Sequence, residues 1–105
     1  MDIKDNLNAI VNAVKDIIPL REAYLFGSYA YGEPSEYSDY DIYFVVDKID
    51  GRKHDLIVQI YDVIENIKKK PVDIILNTKH DFDYRKGNQS TLEYVVVEEG
   101  VKLYG

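Results

Sequence analysis

The sequence predicts an α+β fold: a small mixed β-sheet of three to four strands packed by about three helices. Two stretches repeat apolar residues at three- and four-residue intervals, the mark of helices with one buried stripe. Short apolar runs of strand length lie between them, bounded by glycine, proline and acidic turn residues. The resulting order is helix, strand, strand, helix, strand, helix, with an edge strand at the end.

Ile3, Leu7, Ile10, Val11, Val14, Ile17 and Ile18 form one stripe of a helix from about Asp2 to Ile18, closed by Pro19. Ala23 to Phe26 is a first strand that stops at Gly27. Tyr29 to Ser38, rich in Gly, Pro, Ser and Glu, reads as a loop or a short helical turn. Tyr40 to Val46 is a second strand, and Asp50-Gly51 a turn. Leu56, Ile57, Ile60, Tyr61, Ile64 and Ile67 repeat with helical spacing. That helix is expected to run into Lys68-Lys69-Lys70, cations suited to the negative end of its dipole, before Pro71. Val72 to Leu76 is a third strand. Asn77 to Asn88 is polar and reads as irregular, and Ser90-Thr91-Leu92-Glu93 has the form of a capping box opening a last helix to about Glu99. Gly100 ends it, and Val101 to Tyr104 can add the edge strand.

At 105 residues with 46% hydrophobic content, the chain fits one domain with one modest core. Thirteen Lys and Arg against 19 Asp and Glu give a net charge of −6, which argues against autonomous nucleic-acid binding. Cysteine is absent, so a metal would be held by oxygen or imidazole. No apolar run approaches the roughly 20 residues of a membrane span, and the N-terminus lacks a signal-peptide pattern. The expectation is a cytoplasmic protein without membrane attachment.

Acidic residues inside apolar strands need a reason. In a strand, residues two apart share a face, so Asp39 and Asp41 stand side by side while Tyr40 and Ile42 point into the core on the other face. Asp73, between Val72 and Ile74, adds a third carboxylate if its strand pairs with the second. Such a cluster repels itself when empty and suits hard divalent cations, Mg²⁺ or Mn²⁺, two of which can clamp the attacking and leaving oxygens of a phosphoryl transfer. D-x-D is also common at strand ends facing water, so the third acid matters to the argument. Gly27-Ser28 offers exposed amides and a hydroxyl where the first strand ends, a small anion site suited to phosphate, or a simple strand-to-turn glycine.

Gly27-Ser28, ten residues, Asp39-x-Asp41 and a distant Asp73, in the form GSYAxGE…SDxDI…VDII, resemble the signature of the nucleotidyltransferase superfamily that includes DNA polymerase beta. Within it the chain is similar to the minimal nucleotidyltransferases, and the likeness extends to the closing EEGVKLYG. The resemblance implies that Gly27 and Ser28 hold the nucleotide's β and γ phosphates. Asp39 and Asp41 bind two Mg²⁺ ions, and Asp73 completes the catalytic metal's shell and helps activate an acceptor hydroxyl. The group commonly carries arginine where Tyr31 stands; replacement cations could come from Arg52, Lys53, Arg85 or Lys86, although surface basic residues are usually only solvated.

The resemblance further implies an antitoxin, forming a hetero-oligomer with a HEPN ribonuclease toxin and transferring AMP from ATP to the toxin's tyrosines. Two other readings remain open: a non-catalytic subunit that neutralises its partner by covering it, and nucleotidyl transfer to a small-molecule or RNA hydroxyl. Of the ten tyrosines, at least half are expected in the core or on the sheet, and His54 and His80 on the surface.

Overall fold

The computed structural model of the chain describes residues 2–105. Helix α1, Ile3–Lys15, is opened by the Asp2 carboxylate, which accepts the Asp5 N–H at 2.8 Å. It ends three residues before the expected Ile18. Ile17 and Ile18 both donate back to the Val14 carbonyl, so the chain turns before Pro19 and leaves Ile17 exposed. Strand β1 is Leu20–Phe26, helix α2 is the short turn Ser28–Tyr31, and strand β2 is Tyr40–Val46. Helix α3 is Lys53–Ile64, strand β3 Val72–Thr78, helix α4 Lys79–Lys86, helix α5 Leu92–Glu99 and strand β4 Val101–Tyr104.

The four strands lie in the order β3-β2-β1-β4. The sheet is mixed: β2 and β3 run parallel, and the other two pairs are antiparallel. A parallel pair needs a crossover, and α3 supplies it. On one face Ile42, Phe44 and Val46 of β2 pack with Ala23 and Leu25 against Leu7, Ile10, Val11 and Val14 of α1 and Ile60 and Ile64 of α3. Asn6, buried on α1, ties that helix to the segment after α3. Its side chain donates to the Ile67 carbonyl at 2.8 Å and accepts the Lys69 N–H at 3.0 Å.

The other face is covered as well, which corrects the expectation that the core avoids the face carrying the acids. Tyr24, Phe26, Tyr43 and Val45 form a second core with Phe82 of α4 and Val96 of α5. Tyr24 stacks on Phe82 at 5.5 Å between ring centroids, and Tyr43 meets the same ring at 5.2 Å. The uninterrupted run Ile42-Tyr-Phe-Val-Val46 carries the signal for this, because a strand buried on both faces does not alternate.

Helix α4 replaces the expected irregular segment and, with the short α2, brings the helices among the described residues from the expected three or so to five. Its sequence, KHDFDYRK, has only Phe82 and Tyr84 as large hydrophobics, two positions apart, and so no readable helical period. The Thr78 side chain caps it by accepting the Asp81 N–H at 3.2 Å, and burial of Phe82 fixes its orientation. The capping box also differs: Thr91, not Ser90, caps α5 by accepting from Tyr94. Glu93 is freed for another partner. Among the described residues, no helix is long and apolar enough to cross a membrane.

Candidate active site

Strand pairing sets the site. Phe26, the residue before Gly27, lies opposite Asp41 in the antiparallel β1–β2 pair, and Asp41 lies opposite Asp73 in the parallel β2–β3 pair. One row across three strands therefore brings together the end of β1 and two carboxylates. Asp39 stands just before β2, at the end of the 32–39 loop, half-buried like Asp41, whereas Asp73 is exposed. Nearer the middle of the sheet, the same face is sealed by Tyr43, Val45 and Phe82. The acids occupy its open end.

Gly27 is built for close approach. Its φ of 73° and ψ of −155° belong to a region that side chains avoid. A Cβ placed there would run into Asp41 Oδ2 and come within 2.9 Å of Asp41 Cγ. Its carbonyl accepts the N–H groups of Ala30 and Tyr31, which winds α2 and leaves Ser28 as its first residue. The Asp41 carboxylate is thus pressed against the backbone of Gly27, next to Ser28.

Asp41's carboxyl is pushed up from its ordinary value, first by burial and then by the charges of Asp73 and Asp39, with Asp73 in hydrogen-bonding reach. That is the electrostatic signature of converging acids. Among the described residues, no three His, Cys, Asp or Glu side chains are gathered tightly enough to hold a metal ion as they stand. Asp41 and Asp73 meet, and Asp39 acts on Asp41 through its charge. The donors fit a hard divalent cation in kind, being carboxylate oxygens whose repulsion a cation would relieve. The two histidines, His54 on α3 and His80 on α4, are exposed.

Of the four cations that could replace an arginine at position 31, two are committed elsewhere. Arg85 Nε donates to Glu93 Oε1 at 2.9 Å, and Lys86 pairs with Asp83 at 2.9 Å. Arg52 sits 4.0 Å from Asp55 at the start of α3, where Lys53 is also exposed. Tyr31 itself is half-exposed at the end of α2.

Glu93 is the charged residue whose role the sequence concealed. Buried beneath α5, it accepts Tyr43 Oη–H at 2.6 Å on one oxygen and Arg85 on the other. Burial alone would raise its carboxyl, yet the bonds from Tyr43 and Arg85 hold it below the ordinary value. Glu22 does the same for the far end of this layer, with Tyr24 Oη–H at 2.6 Å and the ammonium groups of Lys79 at 2.7 Å and Lys102 at 3.5 Å. The Glu93 cluster ties α4 and α5 to β2, and the Glu22 cluster ties the start of α4 to β1 and β4. A cleft of about 490 Å³ opens beside them, lined by Lys53, Asn77, Tyr84, Arg85 and Glu93 among others. Its lining excludes the three aspartates, and chemistry rather than concavity marks the site.

A family model for the nucleotidyltransferase domain matches residues 7–100. No curated protein matches the chain by sequence. Among solved structures, a candidate nucleotidyltransferase from Sulfolobus solfataricus is similar at TM-score 0.61 and 25% identity, over 95% of this chain and 78% of that one. A toxin–antitoxin structure with AMP-PNP is similar at TM-score 0.60 and 25% identity, over 95% and 73%. A complex of the tri-AMPylated Shewanella oneidensis HEPN toxin with MNT antitoxin shares the fold at TM-score 0.53 and 21% identity, over 98% and 73%.

Proposed function

The chain belongs to the nucleotidyltransferase domain family, and on that premise we propose that it is a minimal, Mg²⁺-dependent antitoxin. It transfers AMP from ATP to tyrosine hydroxyls of a HEPN ribonuclease toxin, in the cytoplasm and within a hetero-oligomer. The observation that carries this reading is the row Phe26–Asp41–Asp73, with the Asp41 carboxylate against Gly27 at one end and the exposed Asp73 at the other. The row has a direction. The phosphate-loop pair, Gly27 and Ser28, lies at its β1 end, and Asp73 lies on the edge strand of the sheet, open to an acceptor.

Gly27 and Ser28 hold the β and γ phosphates, where a side chain at position 27 would block the approach. Asp39 and Asp41, with Asp73, hold the metal ions. When bound, Mg²⁺ supplies neutralisation of the triphosphate and of the developing charge on the reacting oxygens. Asp73 orients the acceptor hydroxyl and draws on its proton as the new O–P bond forms at the α-phosphate and the bond to pyrophosphate breaks. The protein contributes position and charge, and no covalent step of its own.

The toxin–antitoxin structure with AMP-PNP supports the pairing of this fold with an adenine nucleotide and a partner chain. The AMPylated HEPN toxin of the Shewanella complex supports the acceptor. The test is incubation with Mg²⁺, α-labelled ATP and a co-expressed HEPN protein. Label should reach the partner's tyrosines and be lost with Asp39→Ala or Asp41→Ala. Neutralisation of the toxin without label would replace the enzyme by a binding subunit, and label on RNA or a small molecule would reassign the acceptor.

A further inference from the structure

Three pieces of chain carry the candidate site: α2, the loop that ends at Asp39, and the lead into β3 that ends at Asp73. Lys70 joins them. It belongs to the third piece, its Nζ donates to the Glu36 carbonyl of the second at 2.9 Å, and it lies 5.8 Å from the centre of the Tyr29 ring on the first. Tyr29 in turn meets Tyr40 edge-on at 5.1 Å, and Tyr40 N–H donates to the Pro71 carbonyl at 3.0 Å, next to Lys70. The contacts close a ring.

We propose that Lys70 is a positioning residue that fixes the spacing between the phosphate-binding pair and the carboxylates; this rests on the functional reading above and deepens it. The loop needs such a tie. Among the described residues, the other hydrogen bonds of residues 33–38 are internal, with Ser35 N–H donating to Ser38 Oγ at 2.9 Å, Tyr37 N–H to Ser35 Oγ at 3.2 Å and Ser38 N–H to the Ser35 carbonyl at 3.1 Å. Among the described residues, the Lys70 ammonium is the one side chain outside the loop that hydrogen-bonds residues 33–38. Glu36 is three residues from Asp39, and Lys70 three residues from Asp73. A charged bond at that point transmits to both acids over a short length of backbone. The sequence suggests instead that Lys70 serves the dipole of α3, but that helix ends at Ile64, well before it. Its ammonium therefore joins a carbonyl and an aromatic face, a combination that restrains both.

The test compares wild type, Lys70→Met, which keeps an unbranched apolar stem, and Lys70→Arg, which keeps the charge. Hydrogen exchange of the 33–39 amides in the metal-free chain should be about tenfold faster in the Met variant, the equivalent of one charged hydrogen bond, and restored by Arg. Half-maximal thermal stabilisation by Mg²⁺ should need more metal in the Met variant, and AMP transfer should lose kcat more than it raises the KM for ATP. Unchanged exchange and metal response in the Met variant overturns the proposal, and so does a failure of Arg to restore either. If wild type transfers no AMP, the functional reading falls, whereas the exchange comparison still decides the role of Lys70.

Discussion

Replacing Gly27 by alanine tests the close approach on which the site depends. Two costs arise. The first is conformational: φ 73° with ψ −155° is a backbone region reserved for glycine, and an L-residue held there costs about 1–3 kcal/mol. The second is steric, because the new methyl would overlap the Asp41 carboxylate, and relieving such overpacking typically costs about 1–3 kcal/mol. Gly51 separates the two. Its φ is 79°, but nothing lies within 4 Å of a Cβ built on it, so Gly51→Ala meets only the backbone penalty, about 1–2 kcal/mol. Urea unfolding of metal-free protein should show Gly27→Ala losing about 3 kcal/mol, roughly twice the loss of Gly51→Ala. With about 4–8 °C per kcal/mol for a domain of this size, the melting temperature should fall by about 12–24 °C. A double-mutant cycle with Asp41→Ala should then recover about 0.5–3 kcal/mol as coupling, since removing the carboxylate makes room for the methyl. The reasoning is refuted if Gly27→Ala costs no more than Gly51→Ala, or if its effect is additive with Asp41→Ala.

Asp41→Asn should raise the melting temperature of metal-free protein at pH 7. A carboxyl raised above its ordinary 3.8 makes wild-type stability fall as pH climbs from that value through the raised one, and the cost persists at neutrality. The variant should lack this slope and gain less from Mg²⁺; superimposable pH profiles would contradict a converging cluster. Glu93→Gln has the opposite sign. Glu93 is held low, so its contribution is present at neutral pH and lost as pH falls below its ordinary 4.5 through the depressed native value. The variant should lose about 1.5–3 kcal/mol at pH 7, the worth of hydrogen bonds to a buried charge, and the penalty should shrink in acid. A penalty independent of pH would assign the effect to packing.

How much of this was legible depends on whether a residue's role is local. The α1 stripe was readable because helix geometry imposes a period of about 3.6 on buried positions, and the strand Tyr40–Val46 because a continuous β-branched and aromatic run of strand length is a local signal. Helix α4 was not. Its one buried side chain, Phe82, has no periodic companion, and its place is decided by the rings of Tyr24 and Tyr43 on distant strands. Glu93 read as half of a capping box because its spacing from Ser90 fits one, but a buried acid takes the strongest donors in reach, here Tyr43 and Arg85. Lys70 read as a helix-terminal cation for a similar reason: the apolar period continues to Ile67, although the helix stops at Ile64.

The sequence by itself singled out the candidate residues: a glycine-serine pair at a strand end, and acids set among apolar strand residues. Alternation predicts a shared face for Asp39 and Asp41, since side-chain direction in a strand follows from the backbone alone, although β2 starts at Tyr40 and Asp39 stands just before it. Only the tertiary structure decided that Asp73 stands beside Asp41, and that the Asp41 carboxylate touches the backbone of Gly27. Register is a relation between strands, and it is set by the packing of both sheet faces together.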